Sequence, residues 1–424
     1  MRVKTKKDNL ILAKHNAVLL LGVGGVSVGQ IAKVYLKQGY KVYGYDQTEN
    51  QTVKDLVQLG LIFSKKFNAN FLNVDFCVRT AAVKDDNAFV VALNKAKIPI
   101  LDRAYVLGQM LKQFKTVIAV AGTHGKSTTS ALIYEILHTA GKKVSCHIGA
   151  DITEPRFELG DDYVVVEACE YNKSFLKIYP HITVITNVEP EHLDSYGSFK
   201  NLQMAFLTFT KRGDLRFAFD CESTSFLKRV KNINMVQSAN FESRLKGQYN
   251  QNNITLAVAV CCALGVDKSF ALKVAKNFAG VPRRYELLGQ VKNTKIYIDY
   301  AHHPTEIKAF LSAFNEEYSN ALIVFQPHTY SRTKMFLGQF VEVLAAQKNV
   351  CIFKEYPARE QKSAGVDAKT LYQLVKVNNP NCKYMSTGKK FSQYLGRFSA
   401  ISFVGAGDIC QVAKRLIAQN KDKR

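Results

Sequence analysis

Short apolar runs rich in Val, Ile, Leu and Phe recur along the chain. Each is followed by glycine or polar residues and then by apolar positions at helical spacing. Runs of this kind stand at 17–21, 41–45, 74–78, 99–101, 116–121, 163–167, 182–187, 296–299, 321–325, 350–353 and 401–404. Nearly continuous hydrophobicity over so few residues predicts strands buried on both faces. Ile31, Ala32 and Leu36, and later Ala131, Leu132, Ile133, Ile136 and Leu137, fit helices that follow such strands. Strands alternating with helices predict an α/β protein of three domains with mostly parallel sheets. The first and last are expected to be Rossmann-like and the central one P-loop ATPase-like, over 1–112, 113–283 and 284–424. No internal repeat and no low-complexity linker interrupts the pattern.

Two of the strand exits carry glycine turns. The run 116–121 leads into Gly122-Thr123-His124-Gly125-Lys126-Ser127-Thr128. Such a turn exposes backbone N–H groups at a helix start, Lys126 supplies a cation for phosphate, and the Ser127 hydroxyl can reach Mg²⁺. The loop is shorter than the common P-loop, because Val120 stands where the first glycine would be. The run 17–21 leads into Gly22-Val23-Gly24-Gly25-Val26-Ser27, and the next strand ends on Asp46. That is the layout of a dinucleotide fingerprint with Ser27 in place of its third glycine. It predicts a parallel domain whose turn approaches a diphosphate, which a nucleotide sugar also carries.

Acids and histidines stand at the other strand exits, where open α/β sheets bind ligands. Glu167 and Glu170 follow 163–167, and Glu189-Pro190-Glu191-His192 follows 182–187. Beside a nucleotide, carboxylate and imidazole groups suit a cation bridging phosphates. Asn250 and Asn253 lie at the start of a helix, where amides cap or read an adenine edge. Arg283 and Arg284 mark a domain joint and are expected to leave a cation for the γ-phosphate. Asp299-Tyr300-Ala301-His302-His303-Pro304-Thr305-Glu306, Gln326-Pro327-His328 with Arg332, and Tyr356-Pro357-Ala358-Arg359-Glu360 follow three late strands. Arginine's planar fork suits a carboxylate, so His328, Arg332 and Arg359 predict a pocket for an amino acid or another acidic substrate.

At 424 residues the chain is long enough for two or three cores, and 47% hydrophobic with 22% charged is ordinary for a folded soluble protein. No run of 18 apolar residues occurs, and the charged N-terminus is followed by no signal-peptide core, so a cytoplasmic protein without membrane insertion is expected. The nine cysteines include no C-x-x-C pair and read as reduced thiols. The net charge of +23 raises the question of nucleic acid. The lysines are dispersed and no base-reading motif accompanies them, so no nucleic-acid partner is expected.

Taken in order, these motifs resemble the Mur ligases, the ATP-dependent amide-forming enzymes of peptidoglycan assembly. The likeness spans nearly the whole chain, ending at Gly405-Ala406-Gly407-Asp408-Ile409. The His-His-Pro-Thr-Glu, Gln-Pro-His and Tyr-Pro-Ala-Arg-Glu runs point to the muramate-adding branch. The resemblance implies a first domain that binds the UDP-sugar through Gly22, Gly24, Gly25, Asp46 and Arg103. It implies a central domain for ATP and Mg²⁺ and a last domain for the amino acid, held by His328, Arg332 and Arg359. ATP is assigned Gly122, Thr123, His124, Gly125, Lys126, Ser127, Thr128 and Asn253, with Arg284 and Asp299 across the domain joint. The metals are assigned Ser127, Glu170 and His192, and catalysis Lys126, Glu170, His192, Arg284 and His303. Ser127 replaces the family's more usual threonine, and Glu167-Ala168-Cys169-Glu170-Tyr171-Asn172 keeps Glu170 amid altered neighbours. Other branches carry a carbamylated lysine downstream of the histidine motif, and no lysine stands between Lys200 and Lys211. The implied reaction joins L-alanine to the lactyl carboxylate of UDP-N-acetylmuramate. Addition of a tripeptide to the same sugar nucleotide, and a non-catalytic basic nucleotide-binding regulator, remain as alternatives, and the sequence leaves the oligomeric state open.

Overall fold

A computed structural model describes residues 17–150, 157–358, 360 and 366–421. It contains three sheets. The first holds β1 (Ala17–Leu21), β2 (Lys41–Tyr45), β3 (Ile62–Ser64), β4 (Phe76–Arg79) and β5 (Ile100–Asp102), in the order β3-β2-β1-β4-β5. The second holds β6 (Thr116–Ala121), β7 (Val144–His147), β8 (Tyr163–Glu167), β9 (Ile182–Ile185), β10 (Leu215–Phe219) and β11 (Ile233–Val236), in the order β11-β10-β9-β6-β8-β7. All their pairings are parallel. The third holds β12 (Glu286–Val291), β13 (Thr294–Asp299), β14 (Ala321–Phe325), β15 (Val350–Phe353), β16 (Lys383–Met385) and β17 (Ala400–Val404), in the order β12-β13-β17-β14-β15-β16. There only β12 runs antiparallel, against β13.

The expected α/β architecture with mostly parallel sheets is therefore present. β1 and β14 are buried at every position, and β6 at every position after Thr116, as their apolar runs require. The strands that the pattern did not reveal, β3, β7, β10, β11, β12 and β16, are short, lie toward sheet edges or alternate with polar residues. β12 is irregular, with a register shift between Leu287 and Gly289. The run expected at 182–187 stops as a strand at Ile185, because Thr186 and Asn187 turn aside to bond the loop after β6.

The chain forms two compact units, one of Met1–Glu242 with Asn252–Phe278 and one of Ser243–Gln251 with Ala279–Arg424. The first contains both the first and the second sheet. A continuous apolar cluster explains this: Val18 and Leu20 of β1 belong to the same core as Ala119 of β6, Val166 of β8 and Phe206. The helix Arg103–Leu111 contributes Val106, Leu107 and Met110 to that core, and Phe175 stacks on Phe209 within it. Burial of so many side chains at roughly 1.5–3 kcal/mol each is what joins the two sheets. All nine cysteines are free, and Cys77, Cys146, Cys261, Cys351, Cys382 and Cys410 are buried, as expected of reduced core thiols. Among the described residues, no helix is long and apolar enough to cross a membrane.

Candidate active site

β6 ends at Ala121, and the next residues cross over to begin the helix Lys126–Thr139. Two glycines make the crossing possible. Gly122 has φ 148° and presses on Thr186 and Asn187, so a Cβ there would collide with the Thr186 hydroxyl. Gly125 has φ 81°, and its missing side chain leaves room for the Asn253 carboxamide. Asn187 then grips the loop from the end of β9. Its main-chain carbonyl accepts from Thr123 N–H (3.0 Å) and its side-chain oxygen from His124 N–H (2.8 Å), while its Nδ2 donates to the His124 carbonyl (3.1 Å). The Thr186 hydroxyl donates to the same carbonyl at 2.6 Å. With those partners fixed, the N–H groups at the helix start have no carbonyl one turn earlier to bond, and they form an anion-binding end.

Lys126 lies across this end. Its ammonium donates to the carbonyls of Gly122 (2.6 Å) and Thr123 (2.9 Å) and pairs with Glu170 at 3.1 Å. Burial opposes the charge on Lys126, but Glu170 and then Cys169, Glu167 and Glu191 outweigh it, so the ammonium is held above its ordinary range. Glu170 is itself buried, and His192 Nε2 lies 3.8 Å from it and 4.0 Å from Glu191. The donor atoms of Glu170, Glu191 and His192 all fall within 4.8 Å of one another. His192 takes a left-handed backbone, φ 55°, at the start of a short helix, and its ring meets Tyr171 edge to face at 4.9 Å. Ser127 faces a different carboxylate: its hydroxyl donates to Glu167 Oε2 at 3.0 Å, the oxygen that also accepts from Gly149 N–H at 2.9 Å.

The structure thus brings Lys126, Glu170 and His192 together and adds Glu191, which the sequence reading quoted but assigned no role. Its position between Pro190 and His192 was the available signal. Ser127 is grouped with Glu167 instead. Asn253 lies inside the helix Gln248–Ala263 rather than at its start, and its oxygen accepts from the Thr129 hydroxyl at 3.2 Å. His124 Nε2 stands 3.5 Å from Glu189.

The glycine turn after β1 is wired differently. Gly22 and Val23 N–H both donate to the Tyr45 carbonyl (2.8 and 3.1 Å), Gly25 N–H donates to Gly22 (3.1 Å), and Gly24 N–H donates to Asp46 Oδ2 (3.0 Å). Asn50 Nδ2 donates to the Gly24 carbonyl at 2.8 Å. The N–H groups of Gly22, Val23, Gly24 and Gly25 are therefore all bonded within this region. Arg103, the first residue of its helix after β5, reaches this edge and donates to the Ser27 hydroxyl at 3.3 Å.

In the second unit, Asp299 ends β13, and its carboxylate accepts from Tyr285 N–H and Ala301 N–H, both at 2.7 Å. Burial raises it to about 6, against the opposing pull of Arg284. Arg284 is not the unengaged cation expected: it lies 3.7 Å from Glu306 and, with Arg283, over the Tyr300 ring. Arg283 donates to the carbonyls of Gly405 (3.2 Å) and Gly407 (3.0 Å). His302 Nδ1 lies 3.3 Å from Glu306, and His303 caps the helix Pro304–Glu317 through Thr305 N–H. His328 and Arg332 do meet, with Nη1 3.2 Å from Nδ1, and the His328 ring stacks on Tyr356. Burial first, then His302 and the Arg332 guanidinium, hold His328 down at about 4, so its neutral ring accepts from the guanidinium. Arg359 lies outside the described residues.

Three family models match the chain. "Mur ligase family, catalytic domain" covers residues 18–115, "Mur ligase middle domain" 120–216, and "Mur ligase, glutamate ligase domain" 283–410. A UDP-N-acetylmuramate–L-alanine ligase of Alkaliphilus metalliredigens is 32% identical over 96% of this chain and 97% of its own length. One from Clostridium tetani is 33% identical over 92% and 96%. Among solved structures, the UDP-N-acetylmuramate-alanine ligase of Thermotoga maritima superposes with a TM-score of 0.82 at 25% identity, over 97% of this chain and all of that one. A murein peptide ligase of Psychrobacter arcticus shares the fold, with a TM-score of 0.67 at 19% identity over 96% and 99%. Full-length identity of this order, together with models matching from residue 18 to residue 410, establishes that the chain belongs to the Mur ligase family.

Proposed function

We propose that this chain joins L-alanine to the lactyl carboxylate of UDP-N-acetylmuramate, with ATP converted to ADP and phosphate, as a cytoplasmic step in making peptidoglycan precursors. The observation that carries the chemistry is Lys126, a partly buried ammonium strung between two loop carbonyls and Glu170 at an anion-binding helix start. The names of the full-length relatives supply the substrates, and the better superposition on the alanine ligase than on the murein peptide ligase favours an amino acid over a peptide. In this reading residues 1–112 bind the UDP-sugar, 113–283 bind ATP and 284–424 bind alanine.

A carboxylate is a poor electrophile, and oxide is a poor leaving group. In the first step the lactyl carboxylate oxygen forms a bond to the γ-phosphorus while the bond from that phosphorus to the ADP oxygen breaks. In the second, the alanine amine bonds to the acyl carbon, phosphate leaves with the acyl–oxygen pair, and the amine loses a proton. Lys126 and the N–H groups after Gly125 stabilise charge on the transferring phosphoryl group. Thr123 and His124 hold the loop in shape, and Asn253 fixes Thr129 behind it.

Glu170, Glu191 and His192, two carboxylates and an imidazole converging in a buried corner, suit a divalent cation, and the Ser127 hydroxyl with Glu167 offers further oxygen donors. Mg²⁺ held there neutralises phosphate charge when bound. In this reading His328 and Arg332 take the alanine carboxylate, and Asp299 and Arg284 serve the nucleotide. Phosphate release measured with UDP-N-acetylmuramate and ATP across L-alanine, L-serine, glycine and an acidic tripeptide tests the reading. L-alanine is expected to give the highest kcat/KM, and release with none of the four overturns it.

A further inference from the structure

The serine that replaces the third glycine of the first turn has an unusual pair of partners. Ser27, the second residue of the helix Val26–Lys37, accepts a hydrogen bond from Arg103 (3.3 Å), and its hydroxyl also lies 3.1 Å from Nε2 of His147, the last residue of β7. β7 is the edge strand of the second sheet, so the contact spans two sheets. His147 is buried against Phe157, which stacks in turn on Phe114. Gln30, one turn along the same helix, donates to the Ile148 carbonyl at 3.4 Å and fixes the approach of the helix to β7.

Arginine can only donate, so the Ser27 oxygen accepts from it and the serine hydrogen is left for a neutral imidazole. A charged His147 would set a second cation one hydroxyl away from Arg103 in an apolar wall. The N–H groups of Gly22, Val23, Gly24 and Gly25 are all taken, so the donors this region presents to an anion are those of the helix start and the Arg103 guanidinium. The helix after it has no acidic residue in its first turn and no side-chain cap. Among the described residues, Arg103 forms no ion pair with a carboxylate.

We propose that Ser27 and His147 are positioning residues that hold the Arg103 guanidinium at the carboxyl-terminal edge of the first sheet, where it grips the diphosphate of the nucleotide sugar. This rests on the UDP-sugar reading above. Loss of the chain from His147 to Arg103 leaves the guanidinium free to swing and weakens the diphosphate's hold without touching phosphoryl transfer.

The test is binding of UDP by calorimetry, with KM for UDP-N-acetylmuramate, KM for ATP and kcat, in Ser27→Ala, Ser27→Thr, His147→Leu and His147→Gln, each also combined with Arg103→Ala. Ser27→Ala and His147→Leu are expected to weaken UDP and UDP-sugar binding roughly five- to tenfold, about the net size of one hydrogen bond, at unchanged kcat and ATP KM. Ser27→Thr and His147→Gln, which keep a hydrogen-bonding group, are expected to recover most of the loss. In the Arg103→Ala background neither position should matter further. Equal losses with and without Arg103, or an equal rise in ATP KM, overturn the positioning role, and the Ser27 pair decides it should His147→Leu fail to fold. If the wild-type protein binds UDP and the variants bind it as well, only this inference falls; if the wild type binds neither UDP nor the UDP-sugar, the substrate reading falls with it.

Discussion

Two turns in the same compact unit share one local pattern, strand, glycine pair, helix, and put it to opposite electrostatic use. After β6, the loop's carbonyls hold a lysine and the helix start keeps its donors for an anion. After β1, the turn's N–H groups are bonded to Tyr45, to Gly22 and to the Asp46 carboxylate, and the cation is supplied from outside by Arg103. The difference teaches that a glycine pattern fixes how closely a backbone can approach a ligand, while the residues around it decide what charge it presents. Under the proposed function, the first arrangement serves a phosphoryl group that must change bonding partners, with Lys126 beside the charge that develops. The second suits a diphosphate that is held and not broken.

The comparison breaks most sharply at Lys126. Lys126→Ala is expected to lower phosphate release by a factor on the order of 10²–10³ or more, while UDP binding measured by calorimetry stays as it was. Turnover within about tenfold of wild type would remove the loop after β6 from the chemistry.

The next effect concerns pH. Burial, and then the charge on Arg103, hold His147 down at about 4 against an ordinary value near 6.5. The unfolded chain therefore binds a proton between those values that the folded chain does not, and stability rises with pH across the window. The contribution is fully present above about pH 6.5 and is lost as pH falls toward 4, a change of about 3 kcal/mol over the whole window. Hydrogen exchange of the β7 and β8 amides at pH 7 and pH 4.5 measures it, and His147→Gln should flatten the slope. An unchanged slope in that variant would show that His147 is not the group responsible.

A smaller effect is expected at the first turn. Asp46→Ala removes the acceptor for Gly24 N–H and should raise KM for the UDP-sugar roughly tenfold, with ATP KM unchanged, because a charge-assisted bond contributes about 1.5–3 kcal/mol and water replaces part of it. A parallel rise in both constants would mean that the two turns do not act separately.

The smallest effect is a near-cancellation in the second unit. His328, held at about 4, adds stability as pH rises from 4 to 6.5. Asp299, raised to about 6, keeps its proton in the folded state where the unfolded chain has lost it, so stability falls as pH rises from about 4 to 6. The third sheet's amides should accordingly show little net pH dependence over that range, with a rising slope in Asp299→Asn and a falling one in His328→Gln. A strong slope in the unaltered chain would contradict this balance.

Much of the architecture was legible because buried parallel strands advertise themselves. β1, β6, β14 and β15 are unbroken apolar runs whose alternation with helices leaves few topologies. β7 and β10 were not legible, since short strands that alternate polar and apolar residues, or that begin beside lysines, look like loops until a partner strand claims them. At the site, Lys126, Glu170 and His192 were found from strand exits alone, because parallel strands deliver their following residues to one edge. The roles of Glu191 and Asn187 are not legible in the sequence, for nothing local says that one carboxylate will turn toward His192 or that one amide will bond a loop more than sixty residues away.

What the sequence determined by itself is the order of strands and helices and the chemistry at each strand exit, since both follow from local periodicity and residue type. The tertiary structure alone decided which exits share a corner. It set Ser127 on Glu167 while Glu170 went to Lys126, engaged Arg284 with Glu306, and joined Ser27 to His147 across two sheets. Those pairings depend on sheet order and on a core that runs from β1 to β9, and long-range packing of that kind leaves no periodic trace in the chain.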